Sequence, residues 1–151
     1  MAEFTGILLQ TVEENDNVLF TETPICPTRG ITHREGSGIV RVSGNGSQGR
    51  ARYLVAFSGN IQIPAGGTVG EISVAISVDG EALASTEMIV TPTVVEAFFN
   101  VSAQAYIDVP CGCCVTVSGA YVDGTEDDPA TTPTPSIQVR REASLDVKRI
   151  A

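Results

Sequence analysis

Residues 51–80, ARYLVAFSGNIQIPAGGTVGEISVAISVDG, constrain this chain more than any other stretch. Tyr53, Val55, Phe57, Ile61 and Ile63 point one way, and Arg52, Ser58, Asn60 and Gln62 the other. A period of two is the mark of a half-buried strand. After the Pro/Gly break at residues 64–67 the alternation resumes, with Ile72, Val74, Ile76 and Val78 set against Glu71, Ser73, Ser77 and Asp79. Asp79-Gly80 then supplies a two-residue hairpin signal. Two long strands of this kind need further strands to pack against.

The remaining sequence supplies them. Residues 7–12 read as a short first strand or an extended arm, residues 18–20 and 31–34 as brief strands, and Ile39, Val40 and Val42 as another. Pro24 and Pro27 exclude a central strand between them. Residues 83–91 read as one strand ending at Pro92. Residues 94–109 form the longest candidate. Its odd positions are apolar throughout and its even positions mostly polar, which fits a period of 2 rather than 3.6. Residues 115–122 make the next strand, residues 123–135 a polar loop, and Ile137, Val139, Ala143, Leu145 and Val147 alternate in the last. The expectation is an all-β sandwich of about eight to ten antiparallel strands, with residues 1–16 as an N-terminal arm or first strand and residues 17–151 as the folded domain.

Composition narrows the function. A net charge of −9 on 151 residues argues against nucleic acid and anionic membrane as partners, because both need clustered Lys and Arg. No apolar run approaches a membrane span. Met1-Ala-Glu3 carries no basic segment of the secretory kind, so the expectation is a chain without a secretory signal.

Tyr53-Leu-Val-Ala-Phe-Ser-Gly59, the Pro/Gly turn, and Ile76-Ser-Val-Asp-Gly80 resemble the centre of the C1q/TNF-like jelly roll. Tyr106-Ile-Asp-Val-Pro-Cys-Gly112 sits where that family has its glycine-rich turn before the seventh strand. Residues 143–151 are similar to the final strand of the C-terminal domains of exosporium collagen-like glycoproteins. The resemblance covers residues 17–151 and implies a ten-strand jelly roll in a tight homotrimer. No Gly-X-Y repeat precedes the domain, so the expectation is a module without a collagen stalk. That layout is closer to the compact trimeric β-domains of phage head-decoration and head-fibre proteins, which sit on short N-terminal anchors.

Phe98 and Tyr106 fall on the otherwise polar face of residues 94–109, and Leu54 and Ala56 on the second face of the organising strand. From the residues alone these are either scattered surface groups, which are ordinary, or a face covered by other copies. The resemblance implies the second, with Leu54, Ala56, Phe98 and Tyr106 at a trimer interface. Phe4, Ile7, Leu8 and Leu9 make the N-terminal arm apolar enough to dock on a shell.

The four cysteines are Cys26, Cys111, Cys113 and Cys114. Their spacing lacks the paired C-x₂-C pattern of structural zinc. A disulfide from Cys26 to the cluster, an inter-subunit bridge, and reduced packed thiols all stay open. His33 is the single histidine, with no nucleophile and orienting acid at a matching spacing. There is no G-x-S-x-G, H-E-x-x-H or phosphate loop. The acidic loop with Asp123, Glu126, Asp127 and Asp128 departs from EF-hand spacing, and solvation is the simpler reading than calcium. No cofactor is expected. Arg140, Arg141, Lys148 and Arg149 gather positive charge near the C-terminus, where it can offset the acidic surface.

Three readings of function follow. One is a homotrimeric decoration or head-fibre protein on a phage capsid, with the major capsid protein as partner. The second is a trimeric adhesin on a bacterial or spore surface, binding carbohydrate or a receptor through residues 45–49 and 123–135. An enzyme comes last.

Overall fold

The computed structural model describes residues 1–6, 9–12, 16–27, 30–44, 51–65, 71–110, 114–122, 137–139 and 143–150. Among them the chain forms thirteen strands: β1 (Ala2–Thr5), β2 (Gln10–Val12), β3 (Glu22–Ile25), β4 (Ile31–His33), β5 (Val40–Ser43), β6 (Ala51–Gln62), β7 (Ile72–Val78), β8 (Glu81–Ala82), β9 (Met88–Val90), β10 (Phe99–Val109), β11 (Cys114–Val122), β12 (Ile137–Val139) and β13 (Ser144–Arg149). One 3₁₀ turn, Ala84–Thr86, is the sole helical piece among the described residues. The excess over eight to ten strands consists of pieces two to four residues long at the sheet margins.

The strands build two antiparallel sheets. Sheet A is organised around the twelve residues of β6. One edge of β6 carries β10 in register from Phe99↔Ile61 to Val109↔Ala51. Its other edge carries β13 over Tyr53–Ser58 and β12 at Ile61 and Gln62. β13 passes the sheet on to β1 and β3, and β12 to β2. Sheet B runs β4-β5-β11-β7, and β8 and β9 both pair the far side of β7.

The core lies between the sheets. From sheet A come Phe4, Tyr53, Val55, Phe57, Ile61, Leu145 and Val147, each at most 1% exposed, and from sheet B Val40, Val42, Ile72, Val74, Ile76 and Val117, all at 0%. These are the odd-even positions that the alternation selects. A Cβ on Gly119 of β11 would lie 2.7 Å from two ring carbons of Phe57 on the opposite sheet. Tyr53 crosses the core to donate its hydroxyl to the Ser43 carbonyl at 2.8 Å.

Asp79-Gly80 makes the expected two-residue hairpin, with Val78 opposite Glu81 and φ of 52° and 83° at its two positions. Positive φ at both central residues is the type I′ requirement that Asp-Gly meets. The Asp79 carboxylate also accepts from the Thr116 backbone N–H at 2.9 Å.

Several expectations change. Residues 83–91 hold a 3₁₀ turn and the short β9 rather than one strand, because the Thr86 hydroxyl enters the ladder. It accepts from Ile76 N–H at 3.0 Å and donates to the Leu83 carbonyl at 2.8 Å. The long strand begins at Phe99 rather than at 94, since Glu96 adopts φ 61° and bonds the Ile63 carbonyl outside the ladder. Pro24 does lie in a strand, but in β3 at the sheet edge, where the missing donor costs nothing. Ser73 and Ser77 are buried although they oppose the core-facing side of β7.

Of the two readings of residues 1–16, an arm or a first strand, the described residues include two strands, β1 and β2. Ala2–Thr5 is a strand held between β13 and β3, and Phe4 is 0% exposed in the core. Phe4 is therefore a packing residue and not an anchor. Period-2 burial of Ala2 and Phe4 explains it: both face inward while Glu3 and Thr5 face out. Residues 45–49 and 123–135 lie outside the described residues, as do Arg140 and Arg141.

Candidate functional site

The register of sheet A sets out its outer face as cross-strand rows. Asp108 faces Arg52. Tyr106 faces Leu54, which faces Lys148. Gln104 faces Ala56, then Asp146, then Glu3, then Ile25. Ser102 faces Ser58, then Ser144, then Thr5. The middle of this face is built of small side chains, with Asp146 beside Ala56 as its charged group. Short side chains at Ala56, Ser58 and Ser102 leave an open groove of about 450 Å³, whose lining includes Gln104 and Asp146. Ser58 and Ser144 share a hydroxyl hydrogen bond at 3.0 Å, and Asn100 donates to Asn60 at 3.3 Å.

Tyr106 stands at the rim with 68% of its surface in water, opposite half-buried Leu54. Two sequence-derived interface positions, Leu54 and Ala56, thus sit on one face with Tyr106. Phe98 does not join them. It precedes β10, is 38% exposed, and is placed by the irregular segment around Glu96 rather than by the ladder.

Charge on this face is confined to a few places. Arg52 and Asp108 close a bidentate pair, Nε to Oδ1 at 2.7 Å and Nη2 to Oδ2 at 3.1 Å. The Asp108 hydrogen bond and charge raise the Arg52 guanidinium further above its usual range. Asp146 is the charged member of the groove lining. Its Oδ1 is sealed from water and has no hydrogen-bond partner among the described residues. Burial first, and Glu3 second, hold the Asp146 carboxyl above the ordinary range. Sequence reasoning missed this residue, because an Asp in an alternating strand reads as solvated. The register that puts Glu3 directly opposite it depends on pairing the first strand with the last.

The other candidates are dispersed. Leu9 is 55% exposed, and Ile7 and Leu8 lie outside the described residues. Cys26 is an exposed free thiol. Cys114 opens β11, and its sulfur receives Arg41 Nη2 at 2.7 Å. Cys111 and Cys113 lie outside the described residues. His33 packs on the core aromatics, 4.5 Å from the Phe4 ring and 6.5 Å from that of Phe20, with Nε2 2.8 Å from the Ser37 carbonyl. It lies on β4, opposite Val40, as a packing residue against the core aromatics. No group of three or more potential metal ligands occurs among them either. Among the described residues no helix is long and apolar enough to cross a membrane.

Two sheets with this strand order, one carrying β1 beside β13 and β6 beside β10, define a jelly roll of the C1q/TNF-like class. Among solved structures, the chain is similar to the Eiger TNF of S. frugiperda, at 13% identity and a TM-score of 0.63, over 99% of this chain and 91% of that one. It is also similar to the globular domain of the zebrafish complement 1qA protein, at 11% identity and a TM-score of 0.51, over 97% and 94%. At these identities the likeness concerns the fold. No protein-family model matches the sequence, and no curated protein matches it.

Proposed function

We propose that this chain is a non-enzymatic structural module that assembles as a homotrimer through the outer face of sheet A. The observation that carries this reading is the small-residue centre of that face, where Asp146 is the charged side chain among the described residues that line the groove, flanked by Leu54 and an outstanding Tyr106. Interface cores are depleted of charge and enriched in aromatic residues. On a chain of net charge −9, a face with such a centre is suited to meeting copies of itself. The C1q/TNF-like fold supports the same arrangement, as the resemblance implies.

The setting we propose is the outer surface of a phage capsid, with the trimer projecting from the shell and the major capsid protein as its partner. With Phe4 committed to the core, the docking segment contracts to Ile7, Leu8 and Leu9. Light scattering of the purified chain, with and without reductant, tests the assembly: three chains in both conditions is the expected mass, and a monomer overturns it. Cosedimentation with purified shells tests the setting. Shell binding that Leu9→Asp abolishes, with the trimer intact, is the expected result. A trimer that ignores shells but is retained on a glycan surface would favour the adhesin reading instead.

A further inference from the structure

Asp146 occupies an uncomfortable position for a carboxylate. Its Oδ1 is closed off from water without a hydrogen-bond partner among the described residues. Across β1 it faces Glu3 directly, and across β6 it faces Ala56, which offers no donor side chain. Along its own strand, the same face carries Ser144, hydrogen-bonded to Ser58, and Lys148, which is exposed and opposite Leu54. On β3, Ile25 stands opposite Glu3, and Glu22 opposite Thr5. On β10, Gln104 lies beyond Ala56, and the nearest charges are already joined as Arg52–Asp108. The charge directly opposite Asp146 is therefore of its own sign, and like charges directly opposite across a ladder repel.

We infer that the Glu3–Asp146 pair makes self-association through sheet A proton-dependent, with copies joining more tightly at mildly acidic pH than at slightly alkaline pH. This rests on the assembly reading above. A second copy laid over the groove removes the remaining water from Asp146, and a carboxylate without a donor is costly to desolvate. A proton removes that cost and the repulsion from Glu3 together. Assembly therefore takes up protons. By linkage, its affinity rises as the pH falls through the elevated titration range of Asp146 and declines as the pH rises past it.

The test is a sedimentation dilution series on the full chain at fixed ionic strength, at about pH 5.5 and about pH 8. The wild type is compared with Asp146→Asn, Glu3→Gln and, as a control for net charge, Glu81→Gln on exposed β8. Wild type should associate severalfold more tightly at the lower pH, the direction that proton uptake on assembly dictates. Asp146→Asn should associate at the higher pH as tightly as wild type does at the lower. Glu3→Gln should fall between, and Glu81→Gln should behave as wild type. Equal association of wild type at both pH values, or equal relief by Glu81→Gln and Asp146→Asn, would overturn the inference while leaving the assembly intact. Four proteins that stay monomeric at both pH values would overturn the assembly reading itself. Thermal melts of each variant establish that it is folded.

Discussion

Single atoms decide several features of this molecule. Tyr53 is an apolar body with a polar tip, and the tip must end on an acceptor because the ring is fully buried. It ends on Ser43, whose N–H in turn reaches the Gly30 carbonyl at 2.9 Å. Gly30, with φ 94°, leaves the phenol room that a Cβ 2.7 Å away would take. Tyr53→Phe should cost about 1 kcal/mol in urea unfolding, the net worth of one hydrogen bond. Asp146 is the opposite case, a polar group with an unsatisfied end. Its carboxyl is raised by burial and by Glu3, so its contribution to stability is complete below the usual carboxylate range and is lost as pH rises through the raised value. Asp146→Asn should therefore stabilise the fold more at pH 8 than at pH 5, by less than about 1 kcal/mol once solvent screening of this partly exposed group is counted, read from urea midpoints.

Strands show how far alternation alone carries an argument. β6, β7, β11 and the Asp79-Gly80 hairpin follow directly from side-chain period and turn chemistry. Tyr53, Val55 and Phe57 face inward as the pattern requires. Where the reading departs, a backbone or hydroxyl event with no periodic signature intervenes. Thr86 fits an alternating strand equally well in composition, yet its hydroxyl replaces a strand partner for Ile76. Thr86→Val should leave that buried N–H without an acceptor and cost about 1–3 kcal/mol in thermal or urea unfolding. Glu96 likewise gives no warning of its positive φ. The candidate face was half legible: Leu54, Ala56 and Tyr106 follow from alternation, while Asp146 required knowing that β1 lies beside β13. Phe4 had the composition of an anchor and the position of a core residue, and only the pairing partner distinguishes the two.

At the scale of the whole molecule, the two sheets come into close contact where Gly119 of β11 lies over Phe57 of β6. The absence of a Cβ at Gly119 is what lets the sheets close there. Gly119→Ala should push them apart and cost about 1–3 kcal/mol, typical of overpacking, with a lower melting temperature as the readout. The outer face of sheet A is the complementary case, a surface that the single chain leaves open. Tyr106→Glu, on that exposed rim, should leave the monomer's melting behaviour nearly unchanged yet shift the light-scattering mass from three chains toward one. The two substitutions separate packing within a protomer from contact between protomers.

The strand order also has a temporal consequence. β1 can complete its ladder only with β13, so Ala2 waits for Val147 across nearly the whole chain. β6 is held on both edges by β10, β12 and β13, all of which follow it in sequence. Contacts of such long sequence separation form slowly, because loop closure precedes the reward. During synthesis, β1 has β3 as an early partner, but its other edge stays open until β13 emerges. A chain shortened by its final strand would leave Phe4, Val55 and Phe57 without Leu145 and Val147 beside them in the sheet, and the cell would see it as a client for chaperones rather than as a smaller version of the same protein.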